Sequence, residues 1–257
     1  MEYERLGEEN YNNNGSLMRI IAYRKSDDID IYFPEYDWIR YNCKYVNFKY
    51  GKVKCPYEPR YYGKGYLGEG DYNIKEDGKC TKCYRTWHHM LERCYDEKHR
   101  DKYPTYDDCY VNDEWLNYQN FAEWFNENYY EVEDELMHID KDILCKGNKE
   151  YGPDTCVFTP GRINTLFLSS DKSRGDYPLG VCLDKHGEKY EAKCQYSDII
   201  DKRKTIHLGV YDTPEEAFEA YRDEKEFLIK LFAEAYKDDI PDILYNAMYD
   251  YEIDIED

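Results

Sequence analysis

The stretch LGVCLDKHGEKYEAKCQ, residues 179–195, decides the fold of the C-terminal part of this chain. Leu179–Leu183 is an apolar run typical of a strand, and Lys185–Glu188 has the composition of a hairpin turn. Tyr190–Gln195 then alternates apolar residues with charged or polar ones, which is the pattern of a half-buried strand. The stretch therefore predicts two antiparallel strands joined by a short turn.

A third strand and a helix are predicted after this hairpin. Thr205–Tyr211 has the length and composition of a strand. Thr213, Pro214 and Glu216 form a helix-start signature, because threonine caps the first turn, proline fits it and glutamate completes a capping box. The apolar face of this helix is predicted to contain Ala217, Phe218, Tyr221, Leu228, Leu231 and Phe232. We expect Pro241 to end the helix, which gives the order β-β-β-α.

The middle of the chain begins with helices. Four apolar residues fall at the i, i+3, i+4 and i+7 positions of one helical face: Trp87, Met90, Leu91 and Cys94. Aromatic residues over Trp115–Phe125 predict a second helix, interrupted or begun near Asn117. The elements predicted after it are strands at Leu136–Ile139 and Cys156–Phe158 and a short helix at Arg162–Leu168. The middle part is therefore helical first, then strand, loop, strand and helix.

The N-terminal part is predicted to be a small β module. The candidate strands are Leu17–Tyr23, Ile29–Phe33 and Tyr45–Phe48, and glycine and proline punctuate the residues up to Gly70. The expected fold class is α+β, with modules at residues 1–70, 71–170 and 171–257. The last module is expected to be a three-stranded antiparallel sheet packed on a helix.

Acidic residues are unevenly distributed along the chain, whose net charge is −20. Residues 211–257 hold 4 basic and 16 acidic residues, whereas residues 172–210 hold 8 basic and 6 acidic ones. Proteins that bind nucleic acid usually present a basic surface, so a DNA contact is expected in the segment 172–210. The surrounding acidity weakens long-range attraction to DNA, and it also favours an alternative in which the protein imitates DNA.

Composition indicates a folded protein without a membrane span. Hydrophobic residues make up 41% of the 257 residues, too many for a disordered chain, and no run of about 18 apolar residues occurs. Met1–Gly15 lacks the apolar core of a secretion signal, so a cytoplasmic location with reduced cysteines is expected. Cys80 and Cys83 have the spacing of a zinc site. Without a second Cys-x-x-Cys pair, structural zinc is the less favoured interpretation.

The segment from His138 to Asn164 contains the residue types of a metal-dependent nuclease. It contains His138, Asp140 and Asp142, then Asn148 in the loop and Asn164 in the short helix. Hydrolysis of a phosphodiester needs a base that deprotonates water, and oxygen ligands that hold a hard cation near the scissile phosphate. A structural histidine, a turn asparagine and a surface amide are the alternative interpretation of the same residues.

Residues 83–170 resemble the HNH family, specifically the homing-type enzymes common in phages. The resemblance implies a ββα-metal domain in which His138 is the general base and Asn148 fixes the loop. It also implies that Asn164, with Asp140 or Asp142, holds Mg²⁺ or Mn²⁺. The sequence departs from the family at Met137, where an acidic residue or a second histidine is common, and at residues 143–146, which look like an insertion.

Residues 174–235 resemble the APETALA2-type DNA-binding domain. The matching segments are Tyr177–Val181, Lys189–Lys193, His207–Gly209 and Thr213–Phe218. The resemblance implies a sheet that lies in the major groove of double-stranded DNA, with the helix packed behind it. The candidate DNA contacts are Arg174, Lys185, Lys189, Lys193, Arg203, Lys204 and His207. The alternative is that these are solvated charges around a small sheet.

The sequence thus predicts a DNA-binding, metal-dependent endonuclease of an infected bacterial cytoplasm. Two alternatives stay open. One is a catalytically inactive acidic protein that occupies the nucleic-acid site of a basic host protein, as an anti-defence inhibitor does. The other is a sequence-specific regulator that binds DNA through the C-terminal module without cleaving it.

Overall fold

The computed structural model describes residues 5–167, 177–197 and 203–256, with the side chains of Ser197 and Arg203 left out. Helices and strands are both abundant, and the sheets at the two ends of the chain are antiparallel, so the fold class is α+β as predicted. The chain forms two compact units. The first comprises residues 1–127 and 150–152, and the second comprises residues 128–149 and 153–257. This division differs from the three predicted modules, whose boundaries stay a prediction.

The first unit begins with a four-stranded antiparallel sheet. Its strands are β1 (Glu9–Tyr11), β2 (Leu17–Lys25), β3 (Asp28–Phe33) and β4 (Trp38–Cys43), paired in chain order. A 3-10 turn at Pro34–Tyr36 joins β3 to β4. The buried residues of the sheet, including Met18, Ile20, Ile29, Ile31 and Phe33, form its hydrophobic core. The two predicted strands at residues 17–23 and 29–33 are confirmed.

The predicted strand at Tyr45–Phe48 is wrong, because these residues belong to helix α1 (Tyr45–Lys49). The Tyr45 and Phe48 rings lie 6.0 Å apart, and Phe48 is fully buried while Val46 is half exposed. Contact between residues i and i+3 is helical spacing, which a four-residue apolar string does not distinguish from alternation. Two strands of this sheet were not predicted: β1, and β4 directly before the helix.

The rest of the first unit is mainly helical. After the hairpin β5 (Lys75–Glu76) and β6 (Lys79–Cys80) come α2 (Lys82–Tyr95), α3 (Glu97–Lys102) and a 3-10 turn at Pro104–Tyr106. Helices α4 (Asp113–Leu116) and α5 (Tyr118–Asn128) follow β7 (Tyr110–Val111), which pairs in parallel with β9 (Glu150–Tyr151). The predicted helical face of α2 is buried, and the predicted interruption at Asn117 is confirmed.

The second unit contains a two-stranded ribbon, a short helix and the C-terminal sheet. Strands β8 (Met137–Asp140) and β10 (Val157–Pro160) pair antiparallel, and α6 (Gly161–Leu166) follows β10 directly. The sheet has the order β11 (Val181–Leu183), β12 (Tyr190–Ser197) and β13 (Arg203–Tyr211). Helices α7 (Pro214–Ala235) and α8 (Asp242–Tyr249) complete the unit. The predicted β-β-β-α order is therefore confirmed.

Helix α7 packs against both the sheet and the ribbon–helix segment. Its apolar residues form one core with Ala192 and Cys194 of β12 and with Ile163 and Leu166 of α6. Thr213 caps its N-terminus, accepting the Glu216 N–H at 3.2 Å, as predicted. Two details of the prediction are wrong: α7 ends at Ala235, before Pro241, and Leu231 is half exposed. No helix within the described ranges is long and apolar enough to cross a membrane.

Gly180 offers a test of the packing between the sheet and α7. Gly180 and Gly187 both have a φ of +72°, a conformation that favours glycine. A Cβ at residue 180 would overlap the Tyr221 ring, whereas a Cβ at residue 187 would have no neighbour within 4 Å. Gly187→Ala should cost about 1–2 kcal/mol of unfolding free energy for the backbone alone. Gly180→Ala should cost about 1–3 kcal/mol more because of overpacking, measured by urea unfolding. Equal losses would contradict this packing.

Candidate functional site

His138 and Asp140 lie on the same face of the ribbon, two residues apart on β8. Their cross-strand partners on β10 are Thr159 and Val157. Val157 packs in the core that contains the buried residues of α6, and directly opposed residues of an antiparallel pair share a face. The candidate base and one candidate metal ligand therefore lie on the face of the ribbon that α6 covers.

The His138 ring lies beside the first residue of α6. Its Nε2 is 3.6 Å from the position that a Cβ would take on Gly161, and the Glu135 Oε2 atom is 3.6 Å from the same point. His138 is half-buried. The start of the helix therefore lies within van der Waals reach of the histidine ring.

A buried ion pair fixes this helix start. The Glu135 carboxylate accepts hydrogen bonds from the Arg162 guanidinium at 2.6 Å and from the hydroxyl of Tyr236, the residue after α7, at 2.6 Å. The side chains of Glu135 and Arg162 are 4% and 13% exposed. Burial, together with the hydrogen bond to Glu135, raises the pKa of Tyr236. Glu135 precedes the strand and belongs to no local motif, so the sequence alone does not predict its role.

Asp140 closes the turn that follows β8. Its Oδ1 atom accepts the backbone N–H groups of Asp142 and Ile143, both at 2.8 Å. Its Oδ2 atom accepts no hydrogen bond from the residues that the structure describes. Burial is the main cause that raises the pKa of this carboxyl, and the two backbone hydrogen bonds oppose it. Asp140 therefore combines a structural role with one carboxylate oxygen available to a ligand.

Asn148 and Lys141 are hydrogen-bonded to each other and hold together the two ends of the loop at residues 141–148. The Asn148 Nδ2 group donates to the Lys141 carbonyl oxygen at 2.8 Å, and the Lys141 ammonium donates to the Asn148 carbonyl oxygen at 2.8 Å. The ammonium also contacts both carboxylate oxygens of Asp142 at 2.7 Å. Because Asp142 is paired with a cation in this way, Asp140 is the better candidate for a metal ligand.

The apparent insertion at residues 143–146 is partly built into the core. Ile143 is 3% exposed and belongs to the core of the second unit, and Leu144 packs against that core. Cys145 and Lys146 are exposed. Met137, the other departure from the family pattern, is half-buried opposite Pro160.

Asn164 lies on α6, which packs next to the ribbon. It is half-buried, and its side-chain amide makes no hydrogen bond to any residue in the described part of the chain. The structure thus brings His138, Asp140 and Asn164 onto the adjoining β8 and α6, with Asn148 in the loop between the two strands.

The cysteine pair considered for zinc does not have matching environments. Cys80 is exposed, whereas Cys83 is buried and its pKa is raised to about 12 by that burial. Across residues 5–167, 177–197 and 203–256, histidine, cysteine, aspartate and glutamate form no group of three or more that could hold a metal ion.

Three of the candidate DNA contacts, Lys189, Lys193 and His207, are paired with acidic residues. Glu191 contacts the Lys193 ammonium at 2.5 Å and His207 Nε2 at 2.7 Å, and Lys189 contacts Asp212 at 2.7 Å. The hydrogen bond from Lys193 is the main cause that lowers the pKa of Glu191. The outer face of the sheet is therefore partly neutralised.

Lys185 is exposed in the hairpin turn, and Lys204 is exposed on β13. Arg174 and the side chain of Arg203 lie outside the described residues.

Comparisons with protein-family models, with curated proteins and with solved structures found no match for this chain.

Substitution of Asp140 separates its structural role from its charge. Asp140→Ala should lower the unfolding free energy by about 1–2 kcal/mol, because two backbone N–H groups lose their acceptor. Asp140→Asn should lose much less, since an amide oxygen can accept the same two hydrogen bonds. Urea unfolding of both variants is the measurement, and an Asn variant as unstable as the Ala variant would refute this account of the turn.

Proposed function

We propose that this chain is a DNA-binding endonuclease of the HNH type that hydrolyses phosphodiester bonds with Mg²⁺ or Mn²⁺. The observation that supports the proposal is the position of His138 and Asp140 on the helix-covered face of an antiparallel ribbon. The hydrogen bond with which Asn148 holds the loop together also matches the role that the family resemblance implies for that residue. The strand–loop–strand–helix order is the arrangement expected of a ββα-metal domain.

The available oxygens suit a hard divalent cation. Asp140 Oδ2 and the side-chain oxygen of Asn164 would hold it, because carboxylate and amide oxygens are the ligands that Mg²⁺ and Mn²⁺ prefer. When bound, the cation supplies charge neutralisation for the scissile phosphate and the leaving oxygen. Asp142 is the weaker candidate, since both of its oxygens contact Lys141.

The chain's own residues would perform the remaining steps. His138 accepts a proton from the attacking water, as imidazole can near neutral pH. Asn148 keeps the loop closed, and the Glu135–Arg162 pair keeps the start of α6 next to the histidine ring. The C-terminal sheet binds double-stranded DNA through its basic side chains, Lys185 and Lys204 among them.

His138→Ala should reduce metal-dependent nicking of supercoiled plasmid DNA by about 100-fold or more, because the general base is removed. The matched control is His186→Ala, which changes an exposed histidine in the hairpin turn and should cleave like the wild type. Cleavage is compared with Mg²⁺, with Mn²⁺ and with EDTA, after thermal unfolding has shown that each variant is folded. Metal-dependent nicking by the His138→Ala variant at the wild-type rate would contradict the assignment of His138 as the general base.

A second candidate is a non-cleaving acidic protein that binds the nucleic-acid site of a basic partner. The observation that favours it is the pairing of Lys189, Lys193 and His207 with carboxylates, in a chain of net charge −20. Binding to a basic nuclease, with no binding to DNA at low salt, would support this candidate. Sequence-specific DNA binding without nicking would instead support a regulator.

Glu191 should limit the affinity for DNA if the sheet is the binding surface. Glu191→Gln should strengthen DNA binding and steepen its dependence on salt, because Lys193 and His207 lose their acidic partner and can contact phosphates. Glu188→Gln removes the same charge from the exposed turn and is the matched control. Fluorescence anisotropy at several salt concentrations measures both. Equal effects of the two variants would argue against the sheet face.

A further inference from the structure

Lys225 is a buried lysine on the apolar face of α7. It lies four residues from Tyr221 and from Ile229, which are both buried, and it is itself 7% exposed. Its ammonium donates one long hydrogen bond, of 3.5 Å, to the Gln195 carbonyl oxygen. Within the described part of the chain it forms no ion pair. A lysine in this position is unusual, because buried charges are normally paired with an opposite charge.

A cavity of about 240 Å³ in the second unit adjoins this lysine. Most of the wall is apolar or aromatic and comes from Leu166, Phe167, Leu179, Tyr221, Ile229, Tyr251 and Ile253. The polar lining consists of Asp142, Lys146, Gly147 and Lys225. Asp142, the weaker candidate for a metal ligand, lines the cavity, whereas His138, Asp140 and Asn164 do not.

Among the residues that the structure describes, no carboxylate pairs with Lys225 at the cavity wall. Asp142 is its acidic lining residue, and both oxygens of that carboxylate contact the Lys141 ammonium. Lys146 donates to the Glu252 carbonyl oxygen at 3.1 Å and makes further contacts, so it is not a free cation. Burial lowers the pKa of Lys225, because it disfavours the charged form of the amine. An anion in the cavity would remove that cost.

We infer that this cavity binds a small organic carboxylate with an apolar body. The carboxylate contacts the Lys225 ammonium, and the apolar body packs against Leu166 and Ile229. The cavity is smaller than the roughly 300–1,000 Å³ typical of sites for drug-sized ligands, so the ligand has about the size of benzoate or hexanoate. This inference does not depend on the proposed nuclease function.

The test compares carboxylates with neutral amides of the same shape. Benzoate and hexanoate should bind the full-length protein, followed by NMR shifts of residues that line the cavity and by calorimetry. Benzamide and hexanamide should bind about tenfold or more weakly, because they cannot pair with the ammonium. Absence of carboxylate binding at millimolar concentration, or equal binding of the amides, would overturn the inference.

Two matched variants locate the binding to Lys225. Lys225→Met keeps the length of the side chain, and it should raise the melting temperature while abolishing the preference for carboxylates. Lys146→Met removes the exposed lysine of the same cavity and should retain most of that preference. Carboxylate binding that persists in the Lys225 variant would overturn the inference. His138→Ala should bind the carboxylates like the wild type, so failure of the nuclease proposal is distinguishable from failure of this one.

Discussion

The apolar face of α7 is the constraint on which the second unit depends. It forms one core with β12 of the C-terminal sheet and with α6 of the ribbon–helix segment. The candidate catalytic residues and the candidate DNA-binding sheet consequently belong to one compact unit. Tyr236, the residue after α7, also contacts Glu135, and Glu135 and His138 both lie beside the first residue of α6. Changes in the packing of α7 are therefore expected to alter both the candidate catalytic site and the candidate DNA-binding sheet.

Local patterns in the sequence predict a large part of this fold. The hairpin after Leu183, the capped start at Thr213 and the helical face around Trp87 are each encoded within a few neighbouring residues, and the structure confirms them. The prediction fails where a short apolar segment fits both the helical period and the two-residue period of a strand. Tyr45–Phe48 is such a segment, and contact of its first and last rings makes it helical.

The candidate site is predictable only in part, because sequence spacing identifies residue types but not their partners. His138, Asp140 and Asn148 are found from the segment itself. Their surroundings depend on contacts that no local pattern encodes: Glu135 bonds to Tyr236, 101 residues away, and Lys141 holds the Asp142 carboxylate. The pairing of Lys193 and His207 with Glu191 likewise cannot be predicted until the strand register is known. These contacts decide which candidate oxygens are available to a cation.

The central claim is that a divalent cation binds between β8 and α6, at Asp140 and Asn164. The most direct test is to add Mn²⁺ to the full-length protein and to follow paramagnetic broadening of side-chain NMR signals. The account predicts that the signals of His138 and Asn164 broaden first, before those of His186 and His207. Broadening confined to the acidic C-terminal residues, with His138 and Asn164 unaffected, would contradict it.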